Sequence, residues 1–325
     1  MIIAGDLGGT KTLLGLFERA HRRPRPLVAR GYPTQEFDSF TAILDTFQRD
    51  VGEPLEIDAA AVGVAGPIVD QQARLTNILW DVSAKEIGTY LNVGRVALLN
   101  DLEAMATSVA LLEGDEVVVL QRGEPNPGGN AAVIAAGTGL GQAYLHRLNG
   151  RLLPVPSEAG HADFAARTDR EFELARMLRE LYGRAEVEQV LSGPGLLNIH
   201  RLTHAGKSCI SVEGLAPAEQ PAAISEAALS QGCEHCREAL EMFVEAYGAE
   251  AGNLGLRGVA TAGVYVGGGI APKILPALLN GRFMHAFRAK APMAHLVSAM
   301  PVSVIVKQDA GLLGAAIAAQ QLVET

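Results

Sequence analysis

The eight residues Gly5-Asp-Leu-Gly-Gly-Thr-Lys-Thr12 stand between two apolar runs, Met1 to Ala4 and Leu13 to Phe17. The pattern returns ~130 residues later, where Ala131 to Ala135 leads into Ala136-Gly-Thr-Gly-Leu-Gly141. Each copy reads as a strand, a glycine turn and a second strand. A turn without Cβ atoms lets main-chain N–H groups close on a phosphate. Two such hairpins in one chain imply a diverged duplication, with an α/β unit on either side of one ligand. Asp6 places a carboxylate beside the first turn, which points to a metal-bound nucleotide.

The remaining segments extend this α/β reading. Asp38 and Ser39 can cap a helix whose apolar positions Phe40, Ile43, Leu44, Phe47 and Val51 recur at helical spacing. Ala59 to Val64 reads as a buried strand. Val96 to Leu99 is another, and it runs into Asn100-Asp101 before a helix, so Asp101 stands at the carboxyl end of a strand, where open α/β sheets hold ligands. The second unit has strands over Val117 to Leu120, Ala131 to Ala135 and Gly263 to Val266, with mostly helical sequence from Asp169 to Gly258. After Gly267-Gly-Gly269, Pro272 is expected at a helix start. A last strand, Val302 to Val306, precedes a closing helix, Ala310 to Leu322, expected to pack back on the N-terminal part. The expected division is a small α/β domain over residues 1–111 plus 302–325, a larger, helix-rich domain over 112–301, and a cleft between them.

Composition narrows the function. At 48% apolar, 325 residues can bury a large core, and the length is that of about two domains. A net charge of −9 argues against a nucleic-acid surface or a basic membrane-binding face. The longest apolar stretches fall short of a membrane span, and the N-terminus lacks a basic, then apolar, leader pattern. Cys209, Cys233 and Cys236 are too few and too clustered for a disulfide framework, so a reducing cytoplasm is expected.

Three glycine segments supply candidate phosphate and nucleotide contacts: Gly5, Asp6, Leu7, Gly8, Gly9 and Thr10; Gly137, Thr138 and Gly139; and Gly268 with Gly269. Neither hairpin has the Gly-x-Gly-x-x-Gly spacing of a dinucleotide fold, and Gly206-Lys-Ser208 lacks the glycine loop of a Walker A motif. Asp101 is the candidate catalytic residue, because phosphoryl transfer to an alcohol asks for a carboxylate that orients the hydroxyl and takes its proton. The competing reading makes it the cap of the next helix. Glu158 and His161 could bind a metal, yet further ligands are not evident nearby. With Asn100 and Asp101 they form the donor and acceptor mixture of a polyol site, unless His161 is a satisfied core histidine. Cys233-Glu-His-Cys236 is a lone pair of cysteines, read as buried thiols.

Six motifs in order resemble those of the bacterial ATP-dependent glucokinases, in the hexokinase, actin and Hsp70 ATPase superfamily. Gly5 to Thr10 and Ala136 to Gly141 resemble its two phosphate motifs, and Leu99-Asn-Asp-Leu-Glu-Ala104 its catalytic strand end. Ser157 to Phe164 is similar to its sugar loop, Glu188 to Leu196 to a further sugar segment, and Gly267 to Pro272 to its adenosine motif. The resemblance implies a duplicated, ribonuclease-H-like fold, closing over glucose and Mg-ATP, that opens glycolysis. It also implies Asp101 as base for the 6-hydroxyl, with Asn100, Glu158, His161 and Glu188 on the other hydroxyls and Asp6 near magnesium, directly or through water. Asn77 resembles a residue near the sugar, and a homodimer is a further implication. Lys11 departs from the branch and is more like the sister ROK group of sugar kinases and repressors. That group carries a cysteine-rich zinc motif after its sugar-binding histidine; no cysteine lies between His161 and Cys209, which places the chain outside it. Kinases of other hexoses, a sugar-responsive regulator and an actin-like ATPase clamp are the alternatives.

Overall fold

The computed structural model describes residues 1–52, 56–75, 78 and 80–324, so Asn77 lies outside the described residues. The chain divides into two compact units, residues 1–113 with 307–325, and residues 114–306.

The first unit runs β1 (Ile2–Leu7), β2 (Lys11–Glu18), β3 (Arg25–Pro33), α1 (Phe40–Val51) and β4 (Ala59–Val64). A small sheet of β5 (Ile68–Val69), β6 (Gln72–Arg74) and β7 (Asp81–Ser83) follows, then α2 (Ala84–Leu91), β8 (Val96–Asn100) and α3 (Asp101–Ser108). Strand order in the main sheet is β3-β2-β1-β4-β8. The glycine turn closes the β1–β2 hairpin, in which Asp6 faces Leu13 and the Gly8 N–H donates to the Lys11 carbonyl at 3.1 Å. Ser39 caps α1 by accepting from the Ala42 N–H at 3.1 Å. Alternation along β1 sends Ile3 and Leu7 to one core with Phe40, Ile43, Leu44 and Phe47, and Ile2 and Ala4 to another.

The second unit runs β9 (Val117–Gln121), β10 (Ala131–Ala136), β11 (Leu140–Leu148), β12 (Arg151–Ser157), α4 (Asp169–Tyr182), α5 (Gly193–His204), α6 (Gln220–Leu229) and α7 (Glu234–Gly258). It finishes with β13 (Gly263–Gly267), α8 (Leu275–Leu279), α9 (Arg282–Arg288), α10 (Ala294–Ala299) and β14 (Val302–Ile305). Its strand order is β12-β11-β10-β13-β14-β9. Without β9 this repeats the first sheet: an antiparallel meander of three strands, then two parallel ones. The duplication inferred from two glycine turns is thus a duplication of sheet topology. A single core joins the sheet to α4 through α9, with Phe243, Tyr247, Phe283 and Phe287 fully buried.

The chain then returns to the first unit as α11 (Ala310–Glu324), which packs on β1, β4 and α3. That contact is lined by alanines, among them Ala4, Ala59, Ala61, Ala104, Ala315, Ala316 and Ala319. A Cβ on Gly314 would overlap the Ala104 carbonyl oxygen, so glycine sets how closely α11 approaches α3.

Two expectations are corrected here. Residues 302–305 do not join the first unit: β14 pairs in parallel with β13 and antiparallel with β9, which ties it to the second sheet. Pro272 does not begin a helix, because the chain turns through residues 268–274 and α8 starts only at Leu275. The cause is local. Gly268 has φ +83° and lies against the Ala136 carbonyl, where any Cβ would collide, and the Ile270 N–H donates to that same oxygen at 3.2 Å.

Candidate active site

In the first unit, two carboxylates stand at the carboxyl ends of parallel strands and a third precedes the closing helix. Asp6 is on β1, Asp101 follows β8, and Asp309 stands just ahead of α11. Asp6 is largely enclosed, and Gly311 makes room for it: a Cβ there would come within 2.7 Å of Asp6 Oδ2. Burial foremost, then repulsion from Asp101 and Asp309, raises the Asp6 pKa to about 6.

Asp101 is the first residue of α3, and the cap is Asn100, whose Oδ1 accepts from the Leu102 N–H at 3.0 Å. Asp101 Oδ1 accepts from the same N–H at 2.8 Å. Asn100 also donates from Nδ2 to the Gly66 carbonyl at 3.2 Å, which ties the helix start to the turn after β4. Asn100 thus holds the N-cap position, and the capping role weighed for Asp101 is shared between the two side chains. Asp101 is open to solvent on one side but poorly hydrated overall. That desolvation lifts its pKa above the usual carboxylate range, against the opposing pull of the Leu102 N–H and the Asn100 side chain.

Beside this acidic edge lies an open cavity of about 550 Å³, lined by Asp6, Gly8, Lys11, Arg30, Gln308 and Asp309 among others. Lys11 and Arg30 bring positive charge next to the glycine turn, as a phosphate requires. Sequence reasoning missed Arg30, Gln308 and Asp309. Only the return of the closing helix, more than half the chain away, brings the last two to Asp6.

In the second unit, the turn between β10 and β11 is tight, with the Gly137 N–H donating to the Gly139 carbonyl at 2.8 Å. Gly137 O accepts from the Gly193 N–H at 2.8 Å at the start of α5, whose cap is Ser192. Tyr247, wholly buried, bonds to β10 and β13: its hydroxyl accepts from the Ala136 N–H at 3.2 Å and lies 3.3 Å from the Ile134 and Gly267 carbonyls. No sequence motif marks this brace.

Glu188 is pinned to the same turn. Its Oε2 accepts from the Leu140 N–H at 2.8 Å, and a Cβ on Gly139 would come within 2.7 Å of that oxygen. The Glu188 N–H in turn donates to the Gly160 carbonyl at 2.8 Å, joining the sugar-loop segment to the glycine turn. His161 Nδ1 lies 3.5 Å from Glu186 Oε2, and His161, Glu186 and Glu188 bring ligand atoms within 4.8 Å of one another. Glu158, exposed, receives the His161 N–H on its carbonyl at 3.0 Å. The structure thus brings His161 and Glu188 together and adds Glu186. His161 is exposed, which removes the core-histidine reading.

Asp101 and Asp309 each repel the charge of Asp6, yet the three are not among the groups of the described residues close enough to share one ion. Such an arrangement fits magnesium, which keeps several waters and binds through one or two carboxylates plus substrate phosphates. No helix among the described residues is long and apolar enough to cross a membrane.

The family model described as glucokinase matches residues 3–322. A glucokinase of Nostoc sp. is 34% identical, over 99% of each chain. Among solved structures, a glucokinase from an Antarctic psychrotroph superposes with a TM-score of 0.88 at 30% identity, covering 98% of both chains. A ROK-family glucokinase from Streptomyces griseus, solved with glucose and AMPPNP, shares the fold at a TM-score of 0.63 and 21% identity, covering 98% of this chain and 99% of that one.

Proposed function

Because the chain belongs to the glucokinase family, we propose that it transfers the γ-phosphoryl group of ATP to the 6-hydroxyl of glucose with Asp101 as general base. That it is an ATP-dependent kinase acting on glucose follows from the family itself. The assignment of roles to residues is the inference, and the observation that carries it is the state of Asp101. Its carboxylate is open to solvent on one side, shares the Leu102 N–H with Asn100 so that one oxygen stays available, and is raised in pKa by desolvation, which strengthens it as a base.

In this reading the O6–H of glucose hydrogen-bonds to Asp101, which takes the proton as O6 attacks the γ-phosphorus and ADP departs. Main-chain N–H groups of residues 9, 10, 138 and 139, with Lys11, hold the phosphates in turns closed by the Gly8 and Gly137 N–H groups, and Gly268 and Gly269 lie against the adenosine. Asp6 would hold magnesium, which would supply charge neutralisation for the transferring phosphoryl group. Glu188 keeps Oε2 on the Leu140 N–H and offers its other oxygen to a sugar hydroxyl. His161 and Glu158 take neighbouring hydroxyls with Asn100 and Asn77, and Glu186 positions the His161 ring. Closure of the two units over the sugar would exclude water as a competing acceptor.

The test is Asp101→Ala. Turnover is expected to fall on the order of 10² to 10⁴, with ATP affinity within a few-fold of wild type. Turnover near the wild-type rate would remove Asp101 from its role. Initial rates across glucose and its epimers at fixed Mg-ATP check the acceptor, with glucose expected to have the highest kcat/KM.

A further inference from the structure

Away from every residue used above, α5, the chain after it and the start of α7 bring five soft donors together. His200 and His204 lie one turn apart on α5, with ring centroids 3.8 Å apart. Cys209 follows α5, Cys233 caps α7 and Cys236 lies in its first turn. One ligand atom each from His200, His204, Cys209 and Cys236 falls within 4.8 Å of the others, and all four residues are at least nine-tenths buried.

We propose that His200, His204, Cys209 and Cys236 form a structural site for one zinc ion, with Cys233 at its edge. The spacing matches the chemistry. Tetrahedral zinc with Zn–S near 2.3 Å and Zn–N near 2.0–2.1 Å has ligand-to-ligand edges of about 3.8 Å for two sulfurs and about 3.6 Å for sulfur and nitrogen. Cys209 Sγ lies 3.6 Å from Cys236 Sγ, a ligand edge of that length, while Cys233 Sγ, outside the four, lies 3.5 Å from His204 Nε2. His204 Nδ1 is 3.1 Å from the His200 carbonyl, which fixes Nδ1 as the protonated nitrogen and leaves the Nε2 lone pair for the ion. His200 Nε2 is buried and has no hydrogen-bond partner among the described residues, a cost that a metal bond would remove. Two thiolates would neutralise the ion, so the enclosed site would carry no net charge, and binding would release two thiol protons. Thiolate and imidazole together select zinc over magnesium or calcium. Such a site would staple the segment between α5 and α6 to the start of α7, in residues unrelated to sugar or nucleotide.

Metal content of the full-length chain, purified under reducing conditions and dialysed against zinc, tests this. One zinc per chain is expected, and cobalt in its place should give the thiolate-to-metal charge-transfer absorption of a tetrahedral site. Cys236→Ser and His204→Gln should each weaken zinc binding by about 100-fold or more, and a chelator should lower the Tm of wild type but not of the doubly substituted Cys209→Ser, Cys236→Ser chain. Should these variants fail to fold, the cobalt spectrum of wild type decides. Absence of that absorption, no zinc retained by the reduced chain, or wild-type zinc affinity in the double variant would each overturn the site. Glucose phosphorylation reads out separately, so failure here leaves the kinase assignment standing.

Discussion

Asp6 is held in an environment that disfavours its own charge. A carboxyl whose folded pKa is about 6 against 3.8 unfolded binds its proton more tightly in the native state. The sign follows: stability of the ligand-free protein falls as pH rises from about 4 to about 6, and stays lower above that. Two pK units correspond to at most about 3 kcal/mol, an upper bound because the group keeps some solvent contact. Asp6→Asn should therefore raise the urea midpoint of the free protein at pH 7 and flatten its dependence between pH 4 and 6, while weakening Mg-ATP binding. An unchanged pH profile would mean that Asp6 is not strained by its neighbours. The residues that impose this strain were only half visible in the sequence. Asp101 could be read from its strand end, but nothing local marks Asp309 as a neighbour of Asp6. The same limit hid Glu186 beside His161 and separated Cys209 from Cys236, since side chains that meet across loops leave no periodic signature.

Helices with one apolar stripe were legible, and helices apolar all round were legible only as helices. The spacing in α1 gave both its span and its buried face, with Ser39 as the cap. In α11 nearly every residue from Ala310 to Ala319 is buried, so no stripe told which surface it covers; the structure shows a close, alanine-lined contact with α3 and β1. Gly314→Ala should be destabilising by roughly 1–3 kcal/mol, because the new methyl meets the Ala104 backbone rather than a side chain that can swing away. Gly94→Ala, where a Cβ would meet nothing within 4 Å, is the control and should lie within about 0.5 kcal/mol of wild type. Urea unfolding of both variants measures the difference. The failed helix start at Pro272 has the opposite lesson: a favourable residue for a first helical turn is overruled when Gly268 must pack against another strand's carbonyl.

At the scale of the molecule, the two main sheets share a five-strand pattern and pack into separate cores, and the pair of glycine turns was enough to expose that repetition before any coordinates. What the turns did not reveal is where the repeats end, since β14 completes one sheet and the next element belongs to the other unit. The sole tryptophan, Trp80, lies in the core of the first unit. Its fluorescence should report that unit alone, while far-UV circular dichroism is weighted toward the helices of the second. Without ligands the two heat-induced transitions should separate; with Mg-ATP and glucose together, ligands that the proposed mechanism places on both units, both should move upward and coincide. Transitions that stay apart under saturating ligand would argue against shared binding.

The excursion of the chain out of its first unit and back also inverts its birth order. Domains are usually completed from the amino terminus as the ribosome extends them. Here the alanine face of β1 and β4 waits for α11, which comes after residues 114–306 in the chain, so the whole of the second unit has emerged earlier. The half that is translated first is the half that finishes last, and until α11 has emerged its nascent sheet lacks one of its covers.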